Sequence, residues 1–306
     1  MSGPTMAGRE WLLLIVLSIL WGGSFFFAEV ALRELDPFTI VFGRVSIAAV
    51  VLFSFVYLSK NKMPWDRVSW GQFMVMGALN NMIPFSLIVW GQSHIDSGLA
   101  SVLNATTPMF TVALAHALTA DEKLSPNKGI GILLGIIGVA VLIGPGIIDG
   151  LDGQVWGKIA ILGAATSYGF AGIFGRRLGR HPTSVAATGM LICSSMMMLP
   201  LMLIVDGPLT TLPGPDVWGA VLALALLSTS VAYLIFFHIL AKAGATNLSL
   251  TTFLIPVSAL MLGFLILGER LNSHALMGMA LIFLGLAAID GRLIKRVRRS
   301  LFPSSS

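Results

Sequence analysis

The chain has 306 residues, of which 56% are hydrophobic and 11% charged, with a formal net charge of +5. Soluble domains carry about 25% charged residues. The composition therefore excludes a soluble enzyme, a disordered regulator and a nucleic-acid-binding domain, and predicts an all-α polytopic membrane protein. One cysteine, Cys193, leaves no intramolecular disulfide and no cysteine-based metal site.

A helix that crosses a bilayer needs about 20 largely apolar residues. Ten such runs follow one another, at 10–32, 37–58, 69–92, 97–118, 128–146, 157–178, 183–205, 216–240, 246–267 and 274–292. The first, from Trp11 to Ala31, is longer than a signal-peptide core and has no convincing cleavage site, so it reads as a retained helix. Turn residues punctuate the connections: Asp36-Pro37, Lys62-Met63-Pro64, Gly144-Pro145-Gly146, Asp206-Gly207-Pro208 and Pro213-Gly214-Pro215. Only His94 to Ser97 separates the third run from the fourth, and His94 and Asp96 make a turn the better reading there.

Basic residues orient the bundle. With the N-terminus in the cytoplasm, the inner side carries Arg9, Lys60, Lys62, Arg67, Lys123, Lys128, Arg176, Arg177, Arg180, Lys242, Arg292, Lys295, Arg296, Arg298 and Arg299. The outer side carries only Arg33, Lys158 and Arg270, and Arg44 falls within a span. Cytoplasmic loops are enriched in Lys and Arg. The expectation is a multi-pass membrane protein with both termini cytoplasmic.

The chain also repeats itself at an offset of 147–148. Ser101 falls on Ser249, Pro108 on Pro256, Glu122 on Glu269, Leu124 on Leu271, Gly131 on Gly278, Gly138 on Gly285 and Gly144 on Gly291. Trp21-Gly22 falls on Tyr168-Gly169. Two units are expected, 1–148 and 149–306, the second ending in a basic cytoplasmic tail. Five spans per unit is an odd number, so the second unit is inverted relative to the first. Inverted repeats recur in secondary transporters, with the substrate site near mid-membrane between them.

These features resemble the EamA-type branch of the drug/metabolite transporter superfamily. The resemblance is carried by Trp21-Gly22-Gly23-Ser24-Phe25, Pro37 with Arg44, Ser97-Gly98-x-Ala100, Pro108, Asp121-Glu122-Lys123-Leu124 and Gly131…Gly138. In the second half it runs through Ala245-Thr246, Pro256, Gly268-Glu269-Arg270-Leu271 and Gly278…Gly285. It implies ten helices in two inverted five-helix repeats, and export or exchange of a small organic metabolite, amino acid or drug across a bacterial inner (plasma) membrane by alternating access. The position matching Arg44 in the second half is near Gly189, so a basic role there is one-sided.

Arg44 is the sharpest single feature. It lies roughly 10 Å below the outer end of the second helix at 1.5 Å per residue. A charge inside a membrane faces a cavity or a partner. Three readings stand: an ion pair with Glu29 of the preceding helix, contact with an anionic substrate group, or snorkelling to the headgroups. In the fourth helix Asn104, Thr107 and Thr111 share one face beside Pro108, and Ser249, Thr252 and Pro256 answer them in the ninth. Adjacent Asn80 and Asn81 need partners within the third span. Aromatic residues, among them Tyr168 and Tyr233, suit an amphipathic organic substrate. The expected substrate-lining set is Arg44, Asn80, Asn81, Asn104, Thr107, Tyr168, Tyr233 and Thr252.

Other features read as structural. Gly131-x-x-x-Gly135 permits close helix approach, with homodimer formation a lesser reading. Glu122 and Glu269, beside Lys123 and Arg270, read as local caps or ion pairs. The histidines lie near interfaces, and no deep central carboxylate forms a proton relay. No phosphate loop of the form G-x-x-x-x-G-K-[ST] and no H-E-x-x-H is present, so neither a cofactor nor a metal is expected. The anticipated partners are the lipid bilayer and a small-molecule substrate, with no nucleic acid. The rival classes are an integral-membrane enzyme acting on a lipid or polyprenyl group, and a channel or receptor.

Overall fold

The structure, a computed structural model, describes residues 8–120, 122–144 and 152–291. Asp121, the turn at Pro145-Gly146 and the basic tail from Arg292 to Arg299 lie outside the described residues. Among the described residues ten apolar helices follow in order. They are α1 (Gly8–Ala31), α2 (Pro37–Leu58), α3 (Arg67–Gln92), α4 (Ser97–Leu118) and α5 (Pro126–Ile143). Then come α6 (Gly153–Leu178), α7 (Thr183–Val205), α8 (Pro215–Gly244), α9 (Thr251–Leu267) and α10 (Ser273–Asp290). All but α9 are long and apolar enough to cross a membrane, and α9 is a shorter apolar helix. The protein is thus an all-α polytopic membrane protein of two inverted five-helix repeats.

Local chemistry sets the ends. Pro37, Pro126 and Pro215 open their helices in the first turn, where the missing N–H costs nothing. Asp66, Asp152 and Asn272 cap α3, α6 and α10 by accepting from the backbone N–H of Ser69, Val155 and Ala275 at 2.8–2.9 Å. The expected ninth span, 246–267, begins later than the sequence suggested. Gly244 takes φ 78°, and a turn at Ser249 and Leu250 delays α9 to Thr251.

Packing follows the repeat. α2 packs on α7, and α5 on its own counterpart α10. α1 packs on α8 and α9, and its counterpart α6 packs on α3 and α4. Consecutive helices α1 and α2 are therefore not principal partners: α2 faces α7, α8 and α3 instead.

Glycines make the closest crossings. A Cβ on Gly131 would sit 2.5 Å from the Gly285 carbonyl oxygen, and one on Gly138 would sit 2.8 Å from that of Gly278. In the glycine stripe of α5, Gly131 and Gly138 face α10 and Gly135 faces Met109 of α4, all of the same chain. Gly22 of α1 crosses α9, where a Cβ would overlap the Ser258 hydroxyl and sit 2.8 Å from the Ile255 carbonyl oxygen. Its repeat mate Gly169 meets α4 at the backbone of Phe110 and Thr111. Gly22→Ala forces α1 off α9, and overpacking of this kind costs about 1–2 kcal/mol. The expected result is a lower thermal midpoint in detergent, while Gly8→Ala, with open space around it, leaves the midpoint unchanged.

Candidate functional site

The site forms where two helices lose α-helical regularity. α3 carries a π-helical turn at Ala78–Met82, and α8 carries one at Leu226–Val231. The two turns are related by the 148-residue offset. A π-turn inserts an extra residue, breaks the i→i−4 ladder and is frequent at functional sites. Neighbouring side chains engage carbonyls around these turns. Ser167 of α6 donates to the Leu79 carbonyl at 2.7 Å, and Ser228 donates to the Leu20 carbonyl of α1 at 2.7 Å.

Between the two turns stands Arg44. It is 6% exposed, its Nε donates to Thr229 Oγ1 at 2.9 Å, and its guanidinium carbon lies 3.7 Å from the centre of the Phe85 ring. Thr229 is fixed in turn, donating to the Leu224 carbonyl at 2.8 Å. Tyr168 and Tyr233 lie within electrostatic reach of the guanidinium. No carboxylate of the described residues forms a salt bridge with it.

The expected ion pair with Glu29 is therefore corrected. Glu29 accepts instead from Gln92 Nε2 of α3 at 3.3 Å, and Gln92 also donates to the Phe25 carbonyl at 2.9 Å. The pairing assumed that consecutive helices are neighbours. In the structure α1 packs chiefly on α8 and α9, and α2 on α7.

A hydrogen-bonded chain extends from the aromatic wall. Tyr233 donates to Asn81 Oδ1 at 2.8 Å, and Asn80 Nδ2 donates to the Tyr233 hydroxyl at 3.1 Å. Asn81 Nδ2 donates to Ser194 Oγ at 3.2 Å, and Ser194 donates its one proton to the Met190 carbonyl at 2.6 Å, with the Gly77 carbonyl 3.0 Å away. Asn81 is fully buried and Tyr233 is 8% exposed. Tyr168 is half-buried and packs against both large apolar clusters of the bundle. Trp21 lies tilted against Phe236 with ring centres 5.5 Å apart, and the Phe237 ring centre stands 6.0 Å from that of Tyr233.

The structure thus brings together Arg44, Asn80, Asn81, Tyr168 and Tyr233 of the expected set. Asn104, Thr107 and Thr252 make no hydrogen bond to that group among the described residues. Thr107 donates to the Asn104 carbonyl at 2.7 Å, and Thr111 donates to the Thr107 carbonyl at 2.9 Å, so both hydroxyls serve their own helix. The cause is a turn at Ala105 and Thr106 that breaks α4 and puts Pro108 in the first turn of a new segment. The Asn104 Oδ1 is buried without a partner, and Thr252 is half-buried on α9. Thr229 and Phe85 as ligands of Arg44 were not foreseen. The repeat carried a signal for both, since Asn81 falls on Thr229 and Phe85 on Tyr233.

A second polar cluster sits at one end of the bundle. Glu269, between α9 and α10, accepts from the backbone N–H and hydroxyl of Ser97 at 2.9 and 2.6 Å and from the N–H of Gly98 at 2.9 Å. Asp96 stands at the N-cap of α4 and makes no side-chain cap. Burial, and then the charge of Glu269, push the Asp96 carboxyl above its ordinary range. Beside it a cavity of about 330 Å³ is lined by His94, Asp96, Lys158, Arg270 and His274. It shares no lining residue with the Arg44 group. At the other end Glu122 pairs with Arg176. Neither glutamate is paired with its sequence neighbour, Lys123 or Arg270: Glu269 reaches α4 and Glu122 reaches the end of α6.

The chain matches known proteins over most of its length. The model of the EamA-like transporter family matches the chain twice, over residues 9–144 and 155–289. The chain is 25% identical to the uncharacterized transporter YoaV of Bacillus subtilis over 89% of its own length and 94% of that protein's. It is 25% identical to the uncharacterized inner membrane transporter YedA of Escherichia coli K12, over 85% of this chain and 83% of that one. A chloroplastic WAT1-related protein of Arabidopsis thaliana is also 25% identical, over 95% of this chain and 71% of its own. A protein crystal structure superposes with a TM-score of 0.67 at 21% identity, over 94% of this chain and 99% of that one, which concerns the fold alone.

Proposed function

Because the chain belongs to the EamA-like transporter family, and so is a membrane transporter, we propose that it is a secondary transporter for a small organic anion. The substrate's carboxylate sits on Arg44, its apolar body lies against Phe85, Tyr168 and Tyr233, and the two repeats close on it alternately from either side. Transport runs outward across an inner membrane with both chain termini in the cytoplasm, the orientation that the basic loops favour.

One observation carries this reading. Arg44 is buried among helices with a hydroxyl and an aromatic face for company and no carboxylate among the described residues. A charge held in a low-dielectric interior is costly unless a counter-charge meets it. A partner that arrives and leaves meets it without filling the site permanently. The guanidinium suits a carboxylate because its N–H groups present a planar fork.

Counterflow in proteoliposomes tests the reading. Vesicles loaded with an aromatic or aliphatic carboxylate should take up labelled compound saturably, and the matching amine without a carboxylate should neither exchange nor compete. Equal exchange of carboxylates and amines would overturn the anion assignment. Linear, unsaturable flux would overturn the carrier in favour of a channel. Cysteine labelling from each side of the membrane, with cysteines placed at Leu118 and Ser93, checks the orientation: Leu118→Cys should react from the cytoplasm and Ser93→Cys from outside.

A further inference from the structure

Glu122 and Glu269 are repeat mates, and each ties its own half of the chain to the other half at opposite ends of the bundle. Glu269 holds α4 of the first half through three bonds of 2.6–2.9 Å. It acts as the N-cap of α4 supplied from a distance of 172 residues. The seat is shaped for it. A Cβ on Gly98 would stand 3.1 Å from the carboxylate, and one on Gly263 would overlap it. The residue placed to cap α4 locally, Asp96, leaves the position to Glu269.

The other end is built differently. Glu122 and Arg176 form an ion pair whose side chains are 42% and 47% exposed. At the 147-residue offset Arg176 falls on Glu29, so the repeat sets different groups before the two glutamates. Glu122 meets a cation, whereas Glu269 lies within electrostatic reach of a second carboxyl group, that of Glu29. The positive end of α4 and its three donors hold Glu269 on this helix seat. An exposed pair contributes little, while a partly buried charge on backbone donors contributes more.

We propose that Glu269 and Glu122 are the two gating residues of the transport cycle. Glu269 seated on Ser97 and Gly98 locks the end bearing Glu269. Glu122 on Arg176 locks the other end, and the three part-buried bonds make the Glu269 lock the stronger of the two. The inference rests on the transport reading above and concerns how the two ends take turns.

Spin labels across each end test it, in the full chain with Cys193→Ser, reconstituted in lipid. One pair, Ser93→Cys with Ile266→Cys, spans the Glu269 end. A second, Leu118→Cys with Gly179→Cys, spans the Glu122 end. Glu269→Gln should widen the first distance and narrow the second, moving the population ratio about tenfold, a coupling usual between linked states. Arg176→Gln should move both distances the opposite way by a smaller factor. Ser97→Ala, which removes one of the three bonds, should give a partial shift in the direction of Glu269→Gln, and serves where that variant does not fold. Unchanged distances, or both pairs widening together as in a loosened bundle, would overturn the proposal. Reciprocal shifts without any carboxylate counterflow would instead overturn the transport reading, and wild-type counterflow with unmoved distances would overturn the gates alone.

Discussion

Replacing Arg44 by Gln should abolish saturable exchange of carboxylates at concentrations that saturate the native protein. Truncating one member of a buried hydrogen-bonded charge pair costs about 2–4 kcal/mol. At 1.4 kcal/mol per tenfold, that weakens binding roughly 30- to 700-fold. The same change should leave the fold intact or more stable. Arg44 has one hydrogen bond to Thr229 and a cation–π contact with Phe85, and no ion pair among the described residues to lose. Glutamine removes a buried charge and still reaches a hydroxyl. Counterflow and thermal midpoint, measured side by side, check both halves. A structural arginine would give the reverse pattern, a lowered midpoint with the exchange that survives keeping its native affinity. Arg44→Lys separates charge from shape: a lysine restores attraction but not the planar fork, so binding should recover only in part.

Arg44 shows how far the sequence reaches. Its burial, and its need for a partner, follow from one charge in an apolar run. The partner does not, because proximity in sequence is not proximity in a ten-helix bundle. Glu29 is on the adjacent helix in the chain, but α1 packs on α8 and α9. Thr229 lies 185 positions away and is carried to Arg44 by the π-turn of α8. Hydropathy gives no sign of a π-turn, since an extra backbone residue leaves the apolar pattern nearly unchanged. The repeat did hold the information. Asn80 and Asn81 were conspicuous as polar neighbours inside a span, and the 148-residue offset lands on Ser228 and Thr229.

The same distinction separates the helices from their ties. Span edges are written locally, in Pro at the first turn and in Asp, Ser or Asn before it, and they were legible within a few residues. The seat of Glu269 is not local. A glutamate beside an arginine reads as a surface pair until the fold brings the start of α4 to it. In α4 a proline-interrupted polar face was expected to line the site. The threonines there instead return their hydroxyl protons to their own helix, which side-chain spacing cannot distinguish from a lining role.

Asn81 joins the fold to the site, and its replacement by Leu is the second large effect. The amide accepts from Tyr233 at 2.8 Å and from Asn80 at 3.4 Å, and it donates to Ser194 at 3.2 Å. Leucine removes all three bonds in a fully buried place and leaves the Tyr233 proton without its acceptor. A buried group left unsatisfied costs about 1–3 kcal/mol, so Asn81→Leu should destabilise by about 2–3 kcal/mol. Tyr233→Phe alone should cost less, because it deletes a hydroxyl and leaves amides that can turn to one another. In the double variant the orphaned hydroxyl no longer exists. Its stability should lie above the sum of the two single losses, with a coupling of about 1 kcal/mol. Thermal midpoints of the four proteins read that coupling directly. Counterflow should follow a different order. Tyr233→Phe keeps the aromatic wall and retains exchange, whereas Asn81→Leu releases Tyr233 toward Arg44 and lowers it. Equal losses of transport in all three variants would mean that the hydroxyl itself contacts the substrate, and that the wall recognises more than an apolar body.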